Sequence, residues 1–289
     1  MTEDSNPDVE PGEGGLPRIV LASPEGGRAE VYLHGAHVAR WTIRDRPEWT
    51  ARSGGDVLYL SPRSRFGPGE AIRGGIPVIF PQFADQGPLP RHGFARTAEW
   101  TLAESSATHA VLALEDSAQT RKIWDFAFRV RLRVEVSDGL VMTLTVDNTG
   151  DRAFEFTCAL HSYFHVSRVQ SVWIDGLKGV RYRDKVSGGE TVERERQVRF
   201  HGETDRVYLH APDELRVVDG AAWQSVLVRK HGFADAVVWN PGAEKARGIG
   251  DLGEEAYPHF VCLEAACAGE AVRLEPGARW VGGQTIVAE

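Results

Sequence analysis

Cysteine is scarce in this 289-residue chain, which holds only Cys158, Cys262 and Cys267. Three scattered thiols are too few for a disulfide framework or a zinc site, so we expect reduced thiols and a cytoplasmic protein. Long apolar runs are missing too: no stretch approaches the ~20 residues of a membrane-spanning helix. The first residues carry acids and prolines where a secretory leader would place basic and then apolar residues, so secretion is not expected. Basic charge is in deficit, with 33 Lys and Arg against 41 Asp and Glu and a formal net charge of -8. That balance argues against nucleic acid as the main partner.

What is present is strand pattern. Phe126, Phe128, Val130, Leu132, Val134 and Val136 recur at spacing two, with Arg129, Arg131, Arg133 and Glu135 between them. After Asp138-Gly139 the alternation resumes at Leu140, Met142, Leu144 and Val146. The pattern predicts a hairpin with one wet face. Shorter strands are expected at 18–21, 29–33, 57–60, 76–80, 154–164, 172–174, 180–183, 192–200, 215–218, 225–229, 236–240, 260–266 and 280–288, and one short helix at 244–251. No fixed-period repeat and no long linker divides the chain. The expectation is an all-β protein of antiparallel sheets with few short helices. Its polar first segment, 1–16, should lack structure, and 17–289 should form a single domain.

One stretch stands apart. Residues 60–100 hold Arg73-Gly74-Gly75-Ile76-Pro77 and Arg91-His92-Gly93-Phe94-Ala95-Arg96. Glycine and proline there favour a long irregular loop that runs close to other backbone. Between Ser61 and Arg96, Arg63, Arg65, Arg73, Arg91 and Arg96 face only Glu70 and Asp85. A basic pocket in an acidic chain suggests a small anionic ligand.

Two further residues carry possible chemistry. Glu264 lies inside the apolar run Val261-Cys262-Leu263-Glu264-Ala265-Ala266, where a carboxylate is costly unless paired, protonated or facing a cavity. It reads either as a functional group or as a satisfied structural partner. His161 ends the apolar run 156–160, and it too is either a hydrogen-bonded core histidine or a working one. Arg73 and Arg96 could cap carbonyls or pair with acids, yet guanidinium forks suit phosphate oxygens. Asp205 reads first as a turn residue. His34, His37, Trp100 and Trp239 read as structural, the tryptophans as core filler.

Taken together, Ala71-Ile72-Arg73-Gly74-Gly75-Ile76-Pro77, Phe80-Pro81, His92-Gly93-Phe94-Ala95-Arg96, His161-Ser162-Tyr163-Phe164, Thr204-Asp205, Val238-Trp239-Asn240-Pro241 and Val261-Cys262-Leu263-Glu264 resemble the glucose-6-phosphate 1-epimerases. These belong to the aldose 1-epimerase, or galactose mutarotase-like, superfamily. The resemblance runs from about Ile19 to the C-terminus. It implies a β-supersandwich whose concave face holds a hexose phosphate, with His161 and Glu264 catalytic. It also implies that Arg73, His92, Arg96 and Asp205 bind substrate, and Arg91, where such sequences often carry Gln, adds possible phosphate charge. Mutarotation needs one base at O1 and one acid at the ring oxygen, so we assign Glu264 to the first and His161 to the second. Ordinary values put Glu264 in the ionised form, and nearby carboxylates would hold His161 protonated. No metal or other cofactor is required, and we expect a monomer with a small-molecule partner only. The alternatives are an aldose 1-epimerase of unphosphorylated sugars and a non-catalytic sugar-phosphate-binding regulatory module.

Overall fold

The computed structural model describes residues 9–43 and 55–289. The predicted hairpin is its clearest element. Phe128–Val136 alternates between buried and exposed positions and pairs antiparallel with Leu140–Asn148, from Val136 opposite Leu140 to Phe128 opposite Asn148. The apolar side of these strands faces the core, which is the outcome that period-two alternation dictates.

Around that hairpin grows a nine-stranded antiparallel sheet. Its order is Gln197–Arg199, Val172–Asp175, Glu214–Asp219, Gln224–His231, Arg279–Ala288, Leu140–Asn148, Phe128–Val136, His109–Glu115 and Thr101–Ser105. A second large sheet runs Glu190–Val192, Arg181–Asp184, Thr204–Tyr208, Asp235–Asn240, Phe260–Leu274, Phe154–Leu160 and Val78–Ile79, with Tyr163–His165 also paired to Phe260–Leu274. A third, of four strands, takes Glu10–Pro11, Pro17–Ala22, Gly27–Tyr32 and His37–Ile43. Between the sheets lies an apolar core in which Phe80 packs 5.4–5.6 Å from the rings of Trp124, Phe128 and Phe156. The expected all-β class, with antiparallel sheets and few helices, is what the chain adopts.

Phe260–Leu274 is central in the second sheet and changes character along its length. Residues 260–268 are buried without alternation, whereas 269–274 are mostly exposed or half-buried. A continuous apolar run marks a strand covered on both faces. One cover is the main core; the other is formed by Phe83 and Ala84 over Ala266 and Ala268 and by Ala246, Leu252 and Ala256 over Phe260 and Cys262, and Glu264 sits in that doubly covered part.

Six expectations need correction. The strand at 57–60 is only two isolated bridges, Leu58 to Phe164 and Leu60 to Gly74, and the strand at 154–164 is split into Phe154–Leu160 and Tyr163–His165. Residues 9–16 are not structureless: Glu10–Pro11 pairs with residues 17–18, and Leu16 is buried against Tyr32 and Ala39. Residues 1–8 of that expectation fall outside the described part. The single strand at 192–200 is two, Glu190–Val192 and Gln197–Arg199, which belong to different sheets. Glu193 separates them, turned inward to accept from Arg206 and from the Tyr208 hydroxyl. The strand at 76–80 is reduced to Val78–Ile79, because the flanking residues make isolated bridges. The helix at 244–251 is Gly242–Arg247, and a further helix, Ala118–Ile123, is present. Ser117 caps that second helix, accepting from Thr120 N–H while Thr120 Oγ1 accepts from Ser117 N–H.

Candidate active site

Tight glycine turns bring the arginine stretch against the second sheet. Gly74 and Gly75 have φ of 107° and 59°, and a Cβ on Gly75 would stand 2.2 Å from the Val38 carbonyl oxygen. That close approach requires glycine, and it lets Gly75 N–H donate to Tyr59 and its carbonyl accept from Tyr163 N–H. Gly93 plays the same part further on, its φ of 67° placing it 2.2 Å from the Phe80 carbonyl oxygen by the same measure.

The result is a cavity of ≈ 280 Å³ lined by all seven expected site residues: Arg73, Arg91, His92, Arg96, His161, Asp205 and Glu264. Glu264 is 1% exposed and lies opposite Val237 on the neighbouring strand. Its Oε1 is 3.4 Å from His161 Nε2, while Oε2 has no partner among the described residues. Burial pushes the Glu264 carboxyl well above the usual carboxylate range, the negative charge of Asp205 adds to the rise, and Lys185 opposes it. His161 follows the end of Phe154–Leu160, where its N–H donates to the Pro77 carbonyl at 3.1 Å. Its ring stacks on Tyr163 at 4.8 Å and 9°. Burial, then Arg73 and Arg96, lower its pKa to about 3.

The charges expected from ordinary pKa values are therefore corrected for the free site. Desolvation disfavours both ions and selects carboxylic acid plus neutral imidazole. The proton count of the pair is the same as for carboxylate plus imidazolium.

His92 is a different kind of histidine. It is held at φ 68°, its N–H donates to the Ala84 carbonyl at 2.8 Å, and its Nδ1 accepts from Ala84 N–H at 3.3 Å. An Nδ1 acceptor places the ring proton on Nε2. Burial and the nearby His161 push its pKa far down. It can donate a hydrogen bond, and it is poorly suited to carry a proton.

Arg73 and Arg96 are held unequally. Arg73 donates through Nε to Asp251 Oδ2 at 3.2 Å and through Nη1 to the Tyr163 hydroxyl at 3.2 Å. Arg96 donates from Nη2 to the Arg91 carbonyl at 3.1 Å, and its buried Nε has no partner among the described residues. Burial first, and then its cationic neighbours Arg73 and Arg91, pull Arg96 down to about 10. A half-buried cation that faces a cavity and pairs with no carboxylate among the described residues is an anion site by composition.

Asp205 is a strand residue, opposite Trp239, and not a turn residue. Burial raises its pKa against the pull of Lys185, Lys245 and Arg91. Trp239, expected as core filler, instead walls the cavity, edge-on to His161 at 5.9 Å. Tyr163, Lys185 and Lys245 also line it and escaped the sequence reading. Tyr163 stood in the His-Ser-Tyr-Phe motif and could have been found there; the two lysines had no local signal. Arg63 and Arg65 lie outside, the first pairing with Glu255 and the second with Glu70. The pocket still sets five cations against two carboxyls, but two of the five are Lys185 and Lys245.

The sequence model of aldose 1-epimerase matches residues 17–286. The chain belongs to the aldose 1-epimerase family. A protein of Cenchrus ciliaris named "Putative glucose-6-phosphate 1-epimerase" is 35% identical over 282 residues, covering 93% of this chain and 83% of that protein. One of the same name from Escherichia coli (strain K12) is 35% identical over 269 residues, covering 90% and 86%. Among solved structures, one described as "a putative mutarotase (YeaD) from Salmonella typhimurium" superposes with TM-score 0.83 at 30% identity, covering 98% of this chain and 97% of that one. The protein is thus an epimerase with a galactose mutarotase-like fold, and its cavity holds two buried proton carriers in contact.

Proposed function

We propose that this epimerase interconverts the α and β anomers of hexose 6-phosphates, with glucose 6-phosphate as the leading substrate. One observation carries the reading: a single cavity holds both the His161–Glu264 pair and, beside Arg73, the half-buried Arg96, which pairs with no carboxylate among the described residues. The pair supplies acid–base chemistry, and the arginines suit a phosphate dianion. The names borne by the relatives agree with this substrate class.

Ring opening requires the O1 proton to leave and the ring oxygen to gain one; the C1–C2 bond then rotates and the ring recloses. Glu264 takes the O1 proton and His161 protonates the ring oxygen, and the two exchange roles on closure. A shift of the shared proton across the 3.4 Å between Oε1 and Nε2 converts the neutral pair into the reactive one. His92, with its proton on Nε2, and Asp205 orient hydroxyls. Trp239 offers an apolar wall to a sugar ring face.

The test is anomer exchange followed by NMR on glucose 6-phosphate and on glucose, in a non-phosphate buffer, with enzyme-free rates subtracted. Acceleration of the phosphate well beyond that of glucose is expected. Equal acceleration of both would assign a broader aldose epimerase, and binding without acceleration would assign a regulatory module; either result rejects the proposal.

A further inference from the structure

Arg73 does more than offer charge to an anion. Its side chain joins three other groups in a chain that ends on the catalytic histidine. Asp251 Oδ2 lies 3.2 Å from both Nε and Nη2, so one carboxylate oxygen holds one edge of the guanidinium. Nη1 donates to the Tyr163 hydroxyl at 3.2 Å, and the Tyr163 ring lies parallel to His161 at 4.8 Å. Asp251 is itself anchored, its carbonyl accepting from Ser61 Oγ at 2.7 Å. A guanidinium has five N–H groups. Two of them are committed as hydrogen bonds, from Nε to Asp251 and from Nη1 to Tyr163, and Nη2 stands at ion-pair distance from Asp251. Among the described residues, at least one N–H on each terminal nitrogen of Arg73 is thus left for a two-point contact with a phosphate.

We infer that the substrate's phosphate takes part in catalysis through this Asp251–Arg73–Tyr163–His161 chain, with Asp251 and Tyr163 as positioning residues. The inference rests on the hexose-phosphate reading above and goes beyond it, because phosphate binding alone would act only on affinity. Two features of the geometry separate the cases. The guanidinium that would meet the phosphate also fixes the tyrosine against which the imidazole lies. The same guanidinium, together with Arg96, places positive charge beside His161, and that charge opposes an imidazolium. A dianion on the two arginines cancels this field, and although the larger cost of burial stays, the shift of the shared proton from Glu264 onto His161 becomes easier. Around His161 the other polar groups are Glu264, His92 and Arg91, with Asp205 and Lys185 beyond Glu264. None of these is positioned by Arg73. Binding energy from a remote, non-reacting group is then expressed in kcat as well as in KM.

The experiment measures kcat and KM for anomer exchange with glucose 6-phosphate, with glucose, and with glucose plus sodium phosphite, always subtracting enzyme-free rates. In the wild-type protein, kcat for the sugar phosphate should exceed that for glucose by about ten-fold or more, and phosphite should raise the glucose rate saturably. Tyr163→Phe, which removes the hydroxyl that Arg73 meets, should cut the ratio of the two kcat values by about ten-fold. Asp251→Asn, at a half-buried position, gives a second variant that should weaken phosphite activation by a similar factor. A glucose reaction indifferent to phosphite, or equal loss with both sugars in the variants, overturns the inference while leaving the substrate assignment intact. A wild-type protein that accelerates glucose and not glucose 6-phosphate overturns the substrate assignment itself.

Discussion

Glu264 combines a full desolvation cost with an oxygen that no group among the described residues satisfies. Such a residue is costly to the fold and valuable only to the chemistry. Glu264→Gln keeps the shape and removes the titratable oxygen. We expect anomer exchange to fall by about 10²–10⁴-fold, with a melting temperature equal to or above that of the wild type; retention of near-full activity would reject the acid–base assignment. His37 allows a separate test of burial. It is 1% exposed, its Nε2 has no partner among the described residues, and burial first, then His34, brings its pKa to about 3. A histidine depressed from its ordinary ~6.5 contributes stability that is complete above that pH and is lost as pH falls toward the folded value. Denaturant midpoints should therefore decline from about pH 6.5 toward pH 4. His37→Gln should flatten that slope by about 1.4 kcal/mol per pH unit, and parallel slopes would show that His37 does not titrate on unfolding.

At the scale of elements, the site depends on backbone proximity more than on strand pattern. A Cβ on Gly75 would collide with the carbonyl oxygen of Val38 in the four-stranded sheet, and the positive φ of Gly75 is one that an L-residue adopts at a cost. Gly75→Ala should destabilise by at least about 1–3 kcal/mol, and it should also weaken substrate binding because Arg73 lies two residues away. Urea midpoints and the KM for glucose 6-phosphate check the two halves, and a lower midpoint with an unchanged KM would mean the turn does not position Arg73. The sequence expresses these features unevenly. Alternation displays the 128–148 hairpin openly, since each apolar residue there faces one core. The interruption at Glu193 was hidden, because a charged residue in a charged segment gives no hint that Arg206 and Tyr208 draw it inward. Trp239 was misjudged for a related reason: apolarity predicts burial, and a cavity wall is buried until a ligand is considered. Lys185 and Lys245 could not be foreseen, being brought to the pocket by the pairing of distant strands. By contrast, Glu264 and His161 stood out because each is a polar residue where the pattern demands an apolar one.

For the whole molecule, charge of opposite sign is segregated over a short range. The chain carries a formal -8, and that sum already includes the pocket's five cations, so the remaining surface is more acidic still. A dianionic sugar phosphate is repelled by the body and attracted by the cavity. Raising ionic strength from about 0.01 M to about 0.15 M shortens the Debye length from about 30 to about 8 Å. Over that change the distant repulsion and the nearer attraction each weaken by about 1–2 kcal/mol in water, with opposite effects on binding. The two nearly cancel, so kcat/KM for glucose 6-phosphate should vary by less than about three-fold across the range, whereas an exposed basic patch would make it fall steeply. Removing one cavity cation should unmask the repulsion. For Arg96→Ala, kcat/KM with glucose 6-phosphate should start far lower and rise with salt, while the glucose reaction stays level in both proteins. A steep fall in the wild type, or a fall in the variant, would mean that long-range attraction governs substrate capture and that the phosphate is not confined to the cavity arginines.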